Sequence, residues 1–232
     1  MIAASLGMAA VTISLGRWQL RRLAGRKASN AVFLAAQAES PIHLPQDLSP
    51  GIAIDSGRRI VARGTFDVAR QLLLRGRVQN DAPGLEVVTP LVLQGDSTVL
   101  WVVRGFVGSP DAATPPDSIP APGSGEVTVT GVAFAIPRAA DSGRPLVHNG
   151  VSTWQRLDQR VTHARATGSL DVDLLLAGDT TGPGKLATIP LPEISNGPHL
   201  SYAIQWFGMA FAVLLFPVII LWRERRAATT AP

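Results

Sequence analysis

The chain has 232 residues, no cysteine and a formal net charge of +4. The lack of cysteine excludes disulfides and thiolate chemistry, and the length suits one ordinary domain with membrane segments. Residues 1–29 carry five basic side chains and no acidic one, whereas residues 30–198 carry 13 basic and 16 acidic. Basic residues beside apolar segments indicate contacts with anionic lipid, and the acidic middle of the chain argues against a nucleic-acid partner.

The first apolar run, Ile2 to Leu15, has 14 residues, which as a helix reach about 21 Å. We expect the helix to continue through Trp18, which suits a membrane interface, and we place a first transmembrane helix at residues 1–18. A cleaved signal peptide is the alternative, because Ser14 and Gly16 are small residues at plausible −3 and −1 positions. No basic region precedes the run, however, which favours a retained anchor.

Residues 19–40 are predicted to form a juxtamembrane helix that ends before Pro41. Residues 41–197 then change to short β-like runs, at 58–64, 71–77, 85–93, 97–107, 126–135, 152–157 and 169–177. Gln94, Gly95 and Asp96 predict a hairpin between the third and fourth runs. This pattern predicts a mainly antiparallel, barrel-like β domain of the α+β class. Residues 108–125 and 178–198 are rich in Gly and Pro, so we interpret them as a surface loop and a connector.

The last apolar stretch, His199 to Trp222, has 24 residues without a formal charge. As a helix it is about 36 Å long, enough to cross a hydrocarbon core of about 30 Å. We assign the second transmembrane helix to residues 198–222, with a kink expected at Pro217, and a basic cytoplasmic tail to residues 223–232. Both termini are then cytoplasmic, and the β domain is extracytoplasmic.

Two stripes follow this second helix at 100° per residue. Small and polar residues form one stripe, which we expect to pack on the small residues Ala3, Gly7, Ala10 and Ser14 of the first helix; its members are Ser201, Gln205, Gly208 and Ala212. His199, Tyr202, Trp206 and Met209 form the other stripe.

His199 is the leading candidate for a site residue. The positive end of the helix dipole disfavours an imidazolium there, so a neutral ring could bind a metal or haem iron. The alternative is an interfacial histidine that only meets water.

No catalytic constellation is evident elsewhere. His43, His148 and His163 lack metal-ligand spacing. Gly178 to Lys185 superficially resembles a phosphate loop, but its glycine spacing is one residue too long, so we interpret it as part of the connector. Asp171 and Asp173 are predicted to share a strand face. We therefore expect that the protein is not an enzyme.

Three groups of short motifs occur in one order along the chain. L-G-R-W-Q-L-R-R (15–22) comes first. R-G-T-F-D (63–67), V-V-T-P-L (87–91) and V-V-R-G-F-V (102–107) follow, and H-L-S-Y-A-I-Q-W-F (199–207) closes the series. Together they resemble the Surfeit locus protein 1 family of cytochrome c oxidase assembly factors. The resemblance is carried by Gly16, Trp18, Gln19, Arg22, Gly64, Pro90, Arg104, Gly105, His199, Tyr202, Gln205 and Trp206.

The resemblance implies a bacterial inner-membrane protein that helps insert haem a into the catalytic subunit of cytochrome c oxidase. It implies His199 as the iron ligand, and we expect Tyr202 and Trp206 to line the porphyrin. The partners would be the catalytic subunit, haem and membrane lipid. Two alternatives stay open: a structural partner of an oxidase subunit that does not bind haem, and an anchored extracytoplasmic enzyme with a polar cleft.

The basic residues of the first helix have two possible partners. We expect contacts with lipid phosphate, and haem propionates are the alternative. The residues concerned are Arg17, Arg21, Arg22 and Arg26.

Overall fold

The structure is a computed structural model of the chain, and it describes residues 2–49, 54–95, 97–139, 143–148, 150–176 and 186–229. The chain divides into two compact units. Met1–Val32 with Glu193–Pro232 forms one, which we call the helical unit, and Phe33–Pro192 forms the other, which we call the barrel unit. The β domain predicted for residues 41–197 thus corresponds to a unit bounded at 33 and 192. The predicted connector motif at 178–185 lies outside the described residues.

Two long helices dominate the helical unit. Helix α1 (Ile2–Ala38) is one continuous element of 37 residues, so the predicted membrane and juxtamembrane segments belong to the same helix. The other long helix runs over His199–Thr229. Within the described part of the chain, His199–Arg226 is the one segment long and apolar enough to cross a membrane. The second predicted span therefore has a helix that fits it, and the first predicted span is not confirmed.

The two helices run antiparallel within this unit. Going back along α1 from Gln19 to Gly16, the contacts on the last helix move forward from His199 to Phe207. Within this unit, the buried residues of α1 are spaced three and four apart, and those of the last helix are spaced seven apart, as in a coiled-coil seam. They are Ala9, Thr12, Gly16 and Gln19 on one side, and Ala203, Ala210 and Pro217 on the other.

This seam corrects the packing predicted from the sequence. The predicted stripe of Ser201, Gln205, Gly208 and Ala212 is exposed, and so are Ala3, Gly7, Ala10 and Ser14. The predicted interval of three to four residues between contacting positions was appropriate, but the prediction placed the contact on the wrong face of each helix. Small size alone does not select the contacting face, because a bulky ring from one helix needs a gap opposite it on the other.

The described residues of the barrel unit form nine strands, with the bounds β1 (Ile42–Leu44), β2 (Arg59–Phe66), β3 (Leu72–Gln79), β4 (Ala82–Leu93), β5 (Val99–Gly108), β6 (Glu126–Ala135), β7 (Leu146–His148), β8 (Val151–Trp154) and β9 (Ser169–Leu176). A short 3-10 turn, Val68–Arg70, follows β2, and helix α2 (Gln159–Arg165) precedes β9. We call the long helix His199–Thr229 α3. Each of the seven runs predicted as strands corresponds to one of these strands.

Five of the strands close into a barrel. Their order is β2, β6, β9, β5 and β4, and β4 returns to pair with β2 at Gly64–Leu93 and Phe66–Leu91. All of these pairings are antiparallel except β5 with β9. Strands β3, β8 and β7 extend the sheet beyond β4. The predicted barrel-like domain is confirmed, and so is the hairpin that joins β4 and β5.

Alternating side chains fill the barrel, because successive residues of a strand point to opposite faces. In β2 the inward residues are Ile60, Ala62 and Phe66, and they pack with Leu91, Leu100, Val102 and Leu174. Strand β5 is buried on both faces, since Trp101 on its other side packs with Leu157 and with Val161 of α2.

The predicted loop 108–125 has no regular element after the end of β5 at Gly108. Asp111 organises its first turn by accepting hydrogen bonds from Thr114 and Ala113, and these bonds hold the pKa of Asp111 well below its usual range.

Candidate functional site

A polar turn sets the start of α3 within the helical unit. The side-chain amide of Asn30, on α1, donates hydrogen bonds to the Ser195 carbonyl and to Asn196 Oδ1, each at 3.2 Å. Gly197 follows with a φ of +67°, a left-handed conformation that glycine adopts without a steric penalty. Pro198 comes next, and its carbonyl accepts a hydrogen bond from the Ser201 hydroxyl at 2.8 Å. This bond stabilises the first turn of the helix. The turn places the first helical residue, His199, beside α1.

His199 contacts a buried polar residue of α1, Gln19. Its Nδ1 lies 2.8 Å from Oε1 of Gln19. Gln19 is 9% exposed, and His199 is half-buried. Within the described part of the chain, Nε2 of His199 makes no hydrogen bond. A Cβ built on Gly197 would lie 3.5 Å from that Nε2, so the glycine leaves space beside the nitrogen.

Two aromatic residues share the His199 side of α3. Tyr202 lies one turn further along the helix and is 46% exposed, and Trp206 lies a turn beyond it and is half-buried. Their rings therefore follow the imidazole along the same side of the helix. Gln205, which belongs to the same motif, is exposed and lies away from the seam.

The α1 side of the site is strongly cationic. Residues 17–27 carry five basic side chains, all exposed, and none of them forms an ion pair with a described residue. Arg22 and Arg26 follow Gln19 by three and seven positions, so the helical repeat places them near its face. The Arg22 guanidinium also lies 6.0 Å from the ring centre of Trp18, which is exposed. The site therefore combines one imidazole, two aromatic rings and a row of cations.

The family-motif residues in the barrel unit have structural roles. A Cβ on Gly64 would meet the Val92 carbonyl oxygen at 2.2 Å, where β2 closes against β4. The Pro90 carbonyl accepts the Asp67 N–H at 2.9 Å. Arg104 is 1% exposed, donates to the Pro120 carbonyl at 3.1 Å and stacks over Phe66. A Cβ on Gly105 would lie 2.7 Å from Leu186 Cβ. These residues shape the barrel and its loop, and none of them belongs to the helical unit.

The barrel unit also contains a carboxyl group whose pKa is raised, that of Asp173. Burial, and secondarily the charge of Glu86, raise the pKa of Asp173 to about 7. The side chain belongs to the same strand face as Asp171, as predicted, and Asp171 contacts Nε2 of His163 at 3.0 Å. A cavity of about 380 Å³ lies beside Trp154 and Arg165, and a second lies beside His43, but Asp173 lines neither. No group of three potential metal ligands occurs among the described residues.

The sequence singles out His199 but not the residues that surround it. Gln19 was named only as part of a motif, and Asn30 was not singled out. Both are amide residues of α1, and they are eleven positions apart, which is three helical turns and places them on one face of the helix. That spacing was the available signal.

These features define a protein in which a helix long and apolar enough to cross a membrane begins with a half-buried histidine and a separate unit forms a five-stranded barrel. The model of the SURF1 family matches residues 6–211. A SURF1-like protein of Monosiga brevicollis is 29% identical, over 99% of this chain and 91% of that protein. An uncharacterised SURF1-like protein of Mycobacterium bovis is 30% identical, over 86% of this chain and 73% of that protein.

The chain belongs to the SURF1 family, the Surfeit locus protein 1 family expected from its motifs. The family is known broadly for cytochrome oxidase assembly factors.

Proposed function

We propose that this protein is an assembly factor that holds haem a at His199 and assists its insertion into the catalytic subunit of cytochrome c oxidase. The observation that carries the proposal is the pairing of His199 Nδ1 with Gln19, at 2.8 Å, which leaves Nε2 as the ring nitrogen for a ligand. Histidine is a common axial ligand of haem iron, and it binds through whichever ring nitrogen is not otherwise engaged.

The neighbourhood of His199 suits a porphyrin. Gly197 leaves room beside Nε2, and the exposed ring of Tyr202 and the half-buried ring of Trp206 offer apolar faces. A haem also carries two propionates, for which the cations of α1 are complementary. Haem is cargo in this account. When bound, it would supply an iron that can accept the Nε2 lone pair of His199.

The same proposal places both long helices in a bacterial plasma membrane. The span-length helix α3 exposes large apolar side chains such as Ile204, Phe211 and Phe216, which favours lipid around it. Because Gln19 lies opposite His199, the 17 residues of α1 before Gln19 extend about 25 Å along α3. That length reaches most of the way across a hydrocarbon core, so α1 would be the other span, with both termini cytoplasmic and the barrel unit extracytoplasmic. The basic residues after Gly16 would then lie at the outer boundary of the bilayer.

In this account the protein is not an enzyme. It binds and delivers haem, while the oxidase performs the redox chemistry. The partners are the catalytic subunit, haem and membrane lipid.

The test is a visible spectrum of protein purified from cells that make haem a. Wild type is expected to carry haem, and His199→Ala is expected to lose it. His163→Ala is the matched control, because that histidine contacts Asp171 in the barrel unit. Equal haem content in wild type and His199→Ala would contradict the proposal. If the His199→Ala protein still co-purified with the oxidase and supported its assembly, a structural partnership without haem would explain the protein better.

A further inference from the structure

Gln19 and His199 are 180 residues apart in the chain, yet they meet through one hydrogen bond of 2.8 Å. Gln19 belongs to the buried seam of α1 and is 9% exposed. A buried amide oxygen needs a donor, above all where lipid replaces water. Among the described residues, the donor that the structure gives to Oε1 is the His199 ring.

The chemistry of the two groups fixes the direction of this hydrogen bond. An amide oxygen can only accept, and a neutral imidazole has one N–H and one nitrogen with a lone pair. Nδ1 therefore carries the hydrogen, and Nε2 carries the lone pair. That Nε2 lies beside Gly197, where no side chain competes for the space.

Neighbouring contacts hold the two partners in place. Asn30 fixes the turn that leads into α3 through two hydrogen bonds, and Gly16, one turn from Gln19, lies against the ring of Phe207. The ring of His199 is thus oriented from α1, while the chain around it is anchored on both sides. Hydrogen bonds of this kind orient a metal-binding imidazole and raise its basicity.

We infer that Gln19 is the positioning residue of this site: by accepting the Nδ1 hydrogen of His199 it presents Nε2 as the iron-binding nitrogen and strengthens its bond to iron. The inference rests on the proposed function. It explains why the motif around Gln19 and the motif around His199, at opposite ends of the chain, belong together. It also distinguishes Gln19 from a residue that only packs two helices.

The experiment titrates hemin into the haem-free full-length protein in lipid nanodiscs and then measures the reduction potential of the complex. Gln19→Leu is expected to weaken hemin binding by about 10- to 100-fold, the usual effect of losing such a partner. It is also expected to raise the potential, because a less basic imidazole stabilises ferric iron less. Gln19→Glu keeps an acceptor oxygen and is expected to retain binding.

Thr12→Val is the matched control. Thr12 is buried in the same seam, but among the described residues its hydroxyl donates to carbonyls of its own helix alone, those of Met8 and Ala9. This variant is expected to bind hemin as wild type does. If Gln19→Leu bound hemin with unchanged affinity and potential, or if Thr12→Val lost binding equally, Gln19 would have only a packing role and the inference would be overturned.

A second measurement needs neither haem nor a Gln19 variant. Nitrogen-15 NMR of histidine-labelled protein, assigned by comparison with His199→Ala, reports which ring nitrogen of His199 carries the hydrogen. Nδ1 is expected, and a hydrogen on Nε2 would overturn the inference. Failure of the proposed function has a different signature, because His199→Ala would then bind hemin as wild type does.

Discussion

Gly16 of α1 lies directly against the ring of Phe207 of α3: a Cβ on Gly16 would be 2.7 Å from the ring edge. Both residues belong to family motifs, and their contact fixes which faces of the two helices meet. The close approach places Gln19, one turn further along α1, within hydrogen-bonding distance of His199. The packing of the helices and the polar pair at the site are therefore parts of one arrangement.

The first prediction tests this packing. Gly16→Leu is expected to destabilise the protein by about 1–3 kcal/mol, the usual cost of overpacking, because the new side chain collides with Phe207. Gly7→Leu is the matched control, since a Cβ there meets nothing within 4 Å and both changes gain the same helix propensity. Thermal unfolding of the purified protein in detergent measures the difference.

A compensating change makes this test specific to the contact. Phe207→Ala combined with Gly16→Leu is expected to recover part of the lost stability. Equal unfolding temperatures for the two leucine variants would show that Phe207 does not rest on Gly16.

The second prediction separates the two possible partners of the basic residues. Arg22 and Arg26 lie near the Gln19 face of α1, so we expect them to contribute to binding of the haem propionates. Replacing both by Gln is expected to weaken hemin binding several-fold in nanodiscs of neutral lipid. Arg17 and Arg21 provide the control pair, because they lie on other faces of the helix. An equal effect of both pairs would indicate a general role in binding lipid phosphate.

Much of the fold could be predicted from the sequence, because local patterns carry it. Alternating apolar and polar residues indicate the long strands, such as β2, and the uncharged apolar run of α3 indicates a helix that can cross a membrane. The short elements β1, β7 and α2 were not predicted, since three to seven residues hold too little periodic signal. Closure of the barrel through β2 and β4 depends on pairing between distant segments, which no local pattern encodes.

The site was only half predictable for a related reason. His199 stands out because it is a polar, metal-binding residue at the start of an apolar helix. Gln19 is one of several polar residues near the end of the first apolar run, and nothing local says which of them faces α3. The phase of the helix pair decides that, and a close contact such as Gly16 with Phe207 sets the phase. The same reason explains why the predicted stripe from Ser201 to Ala212 was wrong.

The third prediction concerns Asp173 in the barrel unit. Because burial raises its pKa to about 7, above the ordinary value of about 3.9, the folded state binds this proton more tightly than the unfolded chain does. The resulting stability is fully present below about pH 4 and is lost as the pH rises through about 7. Asp173→Asn is expected to reduce the fall in unfolding temperature between about pH 4 and pH 7.

Asp117→Asn is the control for this prediction. It removes an exposed carboxylate that forms no ion pair with a described residue. This variant is expected to keep the pH dependence of the wild type. An Asp173→Asn protein with the same pH profile as wild type would show that Asp173 is already ionised in the folded state.

The central claim, that the imidazole of His199 binds the haem iron, is tested most directly by replacing the side chain and then restoring the ring. His199→Gly protein in nanodiscs is expected to lose the hemin spectrum of the wild type and to regain it when free imidazole is added, because the small ligand occupies the space that the side chain leaves. A His199→Gly protein that binds hemin with the wild-type spectrum before any imidazole is added would contradict the account.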